Sequence, residues 1–106
     1  MMEWQIVYTT EAEKDLKSLN KTQQTQVLKA IRKVSDNPLP NAEGGYGKPL
    51  GNHTTSKLAG YMKIKLLKLG LRVVYGIERK DNVMKIVIIS VRDDDTVYKM
   101  AYDRIK

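Results

Sequence analysis

Residues 58–77 read Leu-Ala-Gly-Tyr-Met-Lys-Ile-Lys-Leu-Leu-Lys-Leu-Gly-Leu-Arg-Val-Val-Tyr-Gly-Ile. Met62, Ile64 and Leu66 alternate with Lys63, Lys65 and Leu67, the period of two expected of a strand with one buried face. Lys68-Leu-Gly70 supplies a turn, and Leu71 to Ile77 is a second run rich in β-forming residues. After the turn signal Lys80-Asp-Asn82 comes a third run, Val83 to Val91. It is apolar on both faces, as a central strand is when helices cover one side and something else the other. The reading is an antiparallel three-stranded meander.

Working back toward the N-terminus, Trp4-Gln-Ile-Val-Tyr8 alternates loosely and predicts a short first strand. Thr10-Glu-Ala-Glu13 has capping-box spacing, so a short helix should begin there with Ala12, Leu16 and Leu19 on one side. Asn20-Lys-Thr-Gln23 offers a second helix start. Val27, Ile31 and Val34 then recur at helical spacing, with Leu28 beside them, until Asn37-Pro38 stops the run. A break of one or two residues between the helices predicts an antiparallel helical hairpin. Pro38 to Ser56 holds all three prolines and four of the seven glycines and reads as one long loop. Asp93 to Asp95 can cap a short C-terminal helix, Thr96 to Ile105. The fold class is α+β: an N-terminal strand, a helical hairpin, the meander and a short C-terminal helix, forming a sandwich of sheet and helices.

The chain has 106 residues, enough for one modest core, and residues 1–106 are expected to form a single domain. With 42% hydrophobic and 29% charged residues it has the composition of a folded protein. The longest apolar run, Ile86 to Ile89, is far shorter than a membrane span, and Met1-Met2-Glu3-Trp4 is no secretion signal. A cytoplasmic location with no membrane partner is expected. There is no cysteine and one histidine, His53 in the long loop, so neither a metal site nor a cofactor is expected. Motifs for nucleotide binding, zinc proteolysis and α/β-hydrolase chemistry are missing.

The net charge of +7 is uneven. Residues 1–45 are balanced, residues 46–92 carry ten positive against two negative charges, and the remaining tail is slightly acidic. Such a field suits phosphate backbones or an acidic protein. Within it Lys63 and Lys65 share one strand face, and the tight turn can bring Arg72 across from either. Arg92 ends the third strand and can close the group, with Tyr98 six residues on. Cations crowded on one face repel, which lowers the pKa of at least one lysine, and an RNA phosphate relieves the repulsion. The same alternation can equally be the wet face of a half-buried strand, and Tyr98 a packing residue. Tyr75 alternates with Leu71, Val73 and Ile77 and is assigned to the core.

The stretches Lys48-Pro-Leu-Gly, residues 58–65, Gly70-Leu-Arg-Val-Val-Tyr75, Ile88-Ile-Ser-Val-Arg92 and Val97-Tyr98 resemble the RelE/ParE toxin superfamily, most closely its RelE branch. The resemblance spans nearly the whole chain. It implies a fold similar to microbial ribonucleases and a metal-independent mRNA endonuclease acting in the A site of the 70S ribosome, held inactive by a cognate antitoxin. Operator DNA would be met only through the antitoxin complex. The family's catalytic set falls on Lys63, Lys65, Arg72, Arg92 and Tyr98. Lys48, Lys57 and Lys68 are the added candidates for RNA binding. Either lysine, or Tyr98, can serve as base, with Lys65 preferred. Arg72 clamps phosphate oxygens, Arg92 stabilises charge or assists the leaving group, and Tyr98 stacks on a base or helps proton transfer. Two other readings share the fold: a ParE-like inhibitor of DNA gyrase, which does not need this residue set, and a catalytically inactive module acting with an antitoxin on operator DNA, favoured by the acidic Asp93 to Asp95.

Overall fold

The computed structural model describes residues 4–50, 60–91, 99, 103 and 104. Strand β1 (Gln5–Tyr8) leads into helices α1 (Thr10–Lys17) and α2 (Lys21–Ser35). Strands β2 (Lys48–Pro49), β3 (Met62–Leu66), β4 (Leu71–Glu78) and β5 (Val83–Val91) follow. They form one five-stranded sheet in the order β1-β5-β4-β3-β2, antiparallel except where β1 runs parallel to β5.

The expected meander is present, and the helices lie on one face of the sheet. Helix α1 packs on β5 and β1, and α2 on β3. Val27, Ile31 and Val34 of α2 and Ala12 of α1 are buried against Met62, Ile64, Leu71, Val73, Tyr75, Met84, Ile86 and Ile89. Helix α2 starts where expected, with a capping box in which Asn20 and Gln23 exchange side-chain-to-backbone hydrogen bonds of 2.8 and 3.1 Å. The start of α1 lies one residue earlier than expected. Thr9 is the cap, its hydroxyl accepting from the Ala12 amide at 3.1 Å, because either of two adjacent threonines can adopt the extended cap conformation. Of the expected C-terminal helix, Lys99, Asp103 and Arg104 are helical; the rest lies outside the described residues. Among the described residues no helix is long and apolar enough to cross a membrane.

The long loop needs correction. Its first part is folded onto the sheet through a 3-10 turn, Asn41–Glu43, and the edge strand β2. The Tyr75 hydroxyl, buried so that its pKa is pushed far up, donates to the Pro38 carbonyl at 2.9 Å. Arg79 clamps Glu43 through two 2.7 Å hydrogen bonds, which hold the carboxyl below its ordinary pKa. At Gly47 a side chain has no room: a Cβ would come within 2.5 Å of Met62 Sδ and 2.6 Å of Tyr75 Oη. Residues 51–59, including His53 and Lys57, lie outside the described residues.

Strand β5 carries one extra residue. Val74 is opposite Ile88 and Tyr75 opposite Ile86, so Val87 forms a bulge. A bulge interrupts the ladder, and side chains supply partners for the backbone here. Arg104 Nη1 donates to the Val87 carbonyl at 2.9 Å, and Asp15 accepts from the Ile89 amide at 3.1 Å. Asp15 and Arg104 also pair with each other at 2.7 Å, both largely shielded from solvent. Asp15→Ala is therefore expected to destabilise the fold by about 2–3 kcal/mol, since it strands a shielded guanidinium and a backbone donor together. Urea unfolding reads this directly, and a loss below about 0.5 kcal/mol would class the pair with ordinary surface bridges.

Candidate functional site

The site is set by strand register. A one-turn 3-10 segment, Leu67–Leu69, and Gly70 at φ 65° reverse the chain between β3 and β4. That left-handed geometry favours glycine because it has no Cβ. The reversal makes Lys65 the Cα partner of Arg72, which is in turn paired with Ser90 on β5. Two residues along, Lys63 pairs with Val74, and Val74 with Ile88. On the outer side Lys48 of β2 pairs with Lys63.

Since side chains alternate across a strand, Lys48, Lys63, Lys65, Arg72 and Ser90 share the face opposite the helices. Directly paired side chains in a sheet have Cβ atoms about 4.5–5.5 Å apart. Four cations thus occupy two adjacent cross-strand pairs, and no carboxylate stands at these positions or at the neighbouring Val74 and Ile88. Farther along the same face, Lys85 pairs with Gly76, and Glu78 with Val83.

The face is not uniformly wet, contrary to a plain alternation reading. Lys48 and Lys65 are exposed and Lys63 is half-buried. Arg72 is only 3% exposed, and Val74 and Ile88 beside it are fully buried. The both-faced burial expected of β5 is observed over Ile86–Ile89, while Lys85 on the same strand is exposed. This burial extends to β4 and takes Arg72 with it. A cation with little water around it exerts a stronger field on a nearby anion than an exposed lysine does.

Of the residues expected from sequence, Lys63, Lys65 and Arg72 are brought together. Lys48 joins them through β2, an edge strand inside the stretch whose sequence reads as loop. Lys68 is exposed in the 3-10 turn, off the strand pairs. Arg92, Tyr98 and Lys57 lie outside the described residues. Ser90 is a further member of the face; its position two residues before Arg92 in the sequence was the available signal. Among the described residues no three His, Asp or Glu side chains are grouped to hold a metal ion.

Comparison with known proteins gives consistent results. The family model described as ParE toxin of type II toxin–antitoxin system, parDE, matches residues 6–96. A RelE-like toxin protein of Escherichia coli is 29% identical over 109 residues, covering 99% of this chain and all of the relative. The free Escherichia coli toxin RelE, in a form with two arginines changed to alanine, superposes with a TM-score of 0.75 at 23% identity, over 99% of this chain and 100% of that one. A RelBE toxin–antitoxin complex from Mycobacterium tuberculosis matches with a TM-score of 0.66 at 25% identity, over 88% of this chain and 97% of that one.

Proposed function

The chain belongs to the ParE toxin family of type II toxin–antitoxin systems, within the RelE/ParE superfamily, and on that premise we propose that it is a ribosome-dependent endoribonuclease that cleaves mRNA in the A site. The observation that carries the proposal is the register pairing Lys65 with Arg72 and Lys48 with Lys63 on one face. A ParE-like binding toxin has no need of that grouping. An antitoxin is the protein's regulatory partner, as in the mycobacterial RelBE complex.

Cleavage needs a base for the RNA 2′-hydroxyl, charge stabilisation at phosphorus and a proton for the departing 5′ oxygen. Exposed Lys65 takes the 2′ proton. The new oxygen attacks in line, the P–O5′ bond breaks, and a 2′,3′-cyclic phosphate and a 5′-hydroxyl result. Arg72 supplies fixed positive charge to the crowded phosphorane, and its guanidinium reaches the phosphate oxygens where RNA binding uncovers it. Lys63 and Lys48 hold the strand's phosphates, with Lys57 and Lys68 extending the basic track. In this reading Arg92 stabilises charge or protonates the leaving group, and Tyr98 stacks on a base. The ribosome aligns the substrate, which compensates for the lack of a paired histidine or carboxylate.

A second reading, inhibition of DNA gyrase, is favoured by the ParE family match itself. Two cell-free assays separate the readings. The endonuclease stops protein synthesis and leaves plasmid supercoiling by gyrase intact; an inhibitor of gyrase does the reverse.

A further inference from the structure

The cation face continues past Lys63 into a pocket that the cutting reaction does not use. Tyr61 stands two residues before Lys63, so its side chain falls on the same side of the sheet. Gly76 of β4 leaves room for its ring: a Cβ there would come within 2.7, 3.1 and 3.2 Å of Tyr61 Cε2, Cδ2 and Cζ. The ring is thus half-buried against bare backbone, and with Gly76, Glu78 and Lys85 it lines a pocket of about 350 Å³. Lys85 is the cross-strand partner of Gly76, and Glu78 is paired two residues away with Val83. The two charged residues are therefore diagonal neighbours, about 7–8 Å apart across the ladder. Both are exposed, and among the described residues they form no ion pair with each other. Glu78 is one of only two acids in residues 46–92, and it stands on the face that carries the cations.

We propose that this pocket is a base-reading subsite, in which an unpaired base of the mRNA stacks on Tyr61 while Glu78 and Lys85 contact its edge. The inference rests on the endoribonuclease reading and deepens it, because it adds a determinant of sequence preference to a set of cations that holds phosphates. A carboxylate beside a basic track weakens its hold on phosphate, so Glu78 is out of place on a surface made for backbone contacts alone. A base edge is a better match. It presents N–H donors that a carboxylate accepts, and ring or carbonyl acceptors that an ammonium serves, while the aromatic ring offers the stacking surface. The strand rise of about 3.3 Å per residue sets Tyr61 about 7 Å from Lys63 and about 13 Å from Lys65 along the face. The base read is then a neighbour of the cut nucleotides, and its stacking orders the strand along Lys63 toward Lys65 and Arg72.

The test reads binding alone. Short single-stranded RNAs of varied sequence, carrying 2′-O-methyl groups so that they cannot be cut, are titrated with the full chain at several salt concentrations and followed by fluorescence anisotropy. A sugar–phosphate chain of the same length without bases is the control, and thermal melts check that the variants fold. Wild type is expected to hold the baseless chain about fivefold to a hundredfold more weakly than RNA, and Tyr61→Leu to lose RNA affinity by a similar factor. The slope of log affinity against log salt should match in the two proteins, because no phosphate contact is lost. Tyr61→Phe keeps the ring and should recover most of the affinity, whereas Gly76→Ala displaces the ring and should lose part of it. Glu78→Gln should narrow the spread of affinities among RNAs of different sequence. Equal binding of RNA and the baseless chain by wild type would overturn the proposal. So would RNA affinity untouched in Tyr61→Leu, a loss there that comes with a shallower salt slope, or a spread unchanged in Glu78→Gln. A protein that binds in the expected pattern yet leaves mRNA intact during translation fails the cutting claim and keeps this site, so the two failures are told apart.

Discussion

Arg72→Ala is expected to slow ribosome-dependent mRNA cleavage by about 10²–10³-fold, the usual consequence of removing a main charge-stabilising group. The size follows from its setting. At 3% exposure, and with Lys65 as its cross-strand partner, Arg72 is the least hydrated of the grouped cations and so the one whose field is least screened. Removing so buried a side chain also leaves space against Val74 and Ile88, so the variant should melt earlier than wild type. Arg72→Lys separates the two effects. It keeps the charge and most of the volume but loses the planar fork, and should recover only part of the activity. Full cleavage by a folded Arg72→Ala protein, in single-turnover assays on programmed ribosomes, would remove this residue from the mechanism.

The second large effect is expected at Lys65. As base, its loss should cost about 10²–10⁴ in rate. Because the side chain is exposed, stability should change by no more than about 0.5 kcal/mol. The two variants therefore differ in kind: Arg72→Ala lowers rate and melting temperature together, Lys65→Ala lowers rate alone. A pH profile adds a sign. Only a neutral amine accepts a proton, so wild-type cleavage should rise with pH as the amine is freed, and the rise should flatten in Lys65→Ala. A variant that keeps the wild-type slope at reduced rate would move the base to another group and leave Lys65 as a phosphate contact.

Much of the site was legible because its determinants are local. Alternation from Met62 to Leu66 fixed which residues share a face, and the glycine at 70 marked the turn that sets Lys65 against Arg72. What escaped the sequence depends on distant partners. Strand β2 is two residues long and includes Pro49, which cannot donate to a ladder, so no periodicity announces it. The parallel pairing of β1 with β5 joins segments almost eighty residues apart. The bulge at Val87 sits inside the uniform run Ile86 to Ile89, where one extra apolar residue leaves no mark on the pattern. Its stabilising pair, Asp15 and Arg104, spans 89 positions, and each residue alone reads as ordinary helix surface. The burial of Arg72 was hidden for a related reason: alternation says which face a residue occupies and nothing about what covers that face.

The most direct test of the central claim is primer extension on a defined mRNA in a cell-free bacterial translation reaction containing the wild-type protein. The account predicts discrete cuts inside codons that appear only when ribosomes are translating the message. Intact mRNA in a reaction that is actively translating would contradict it.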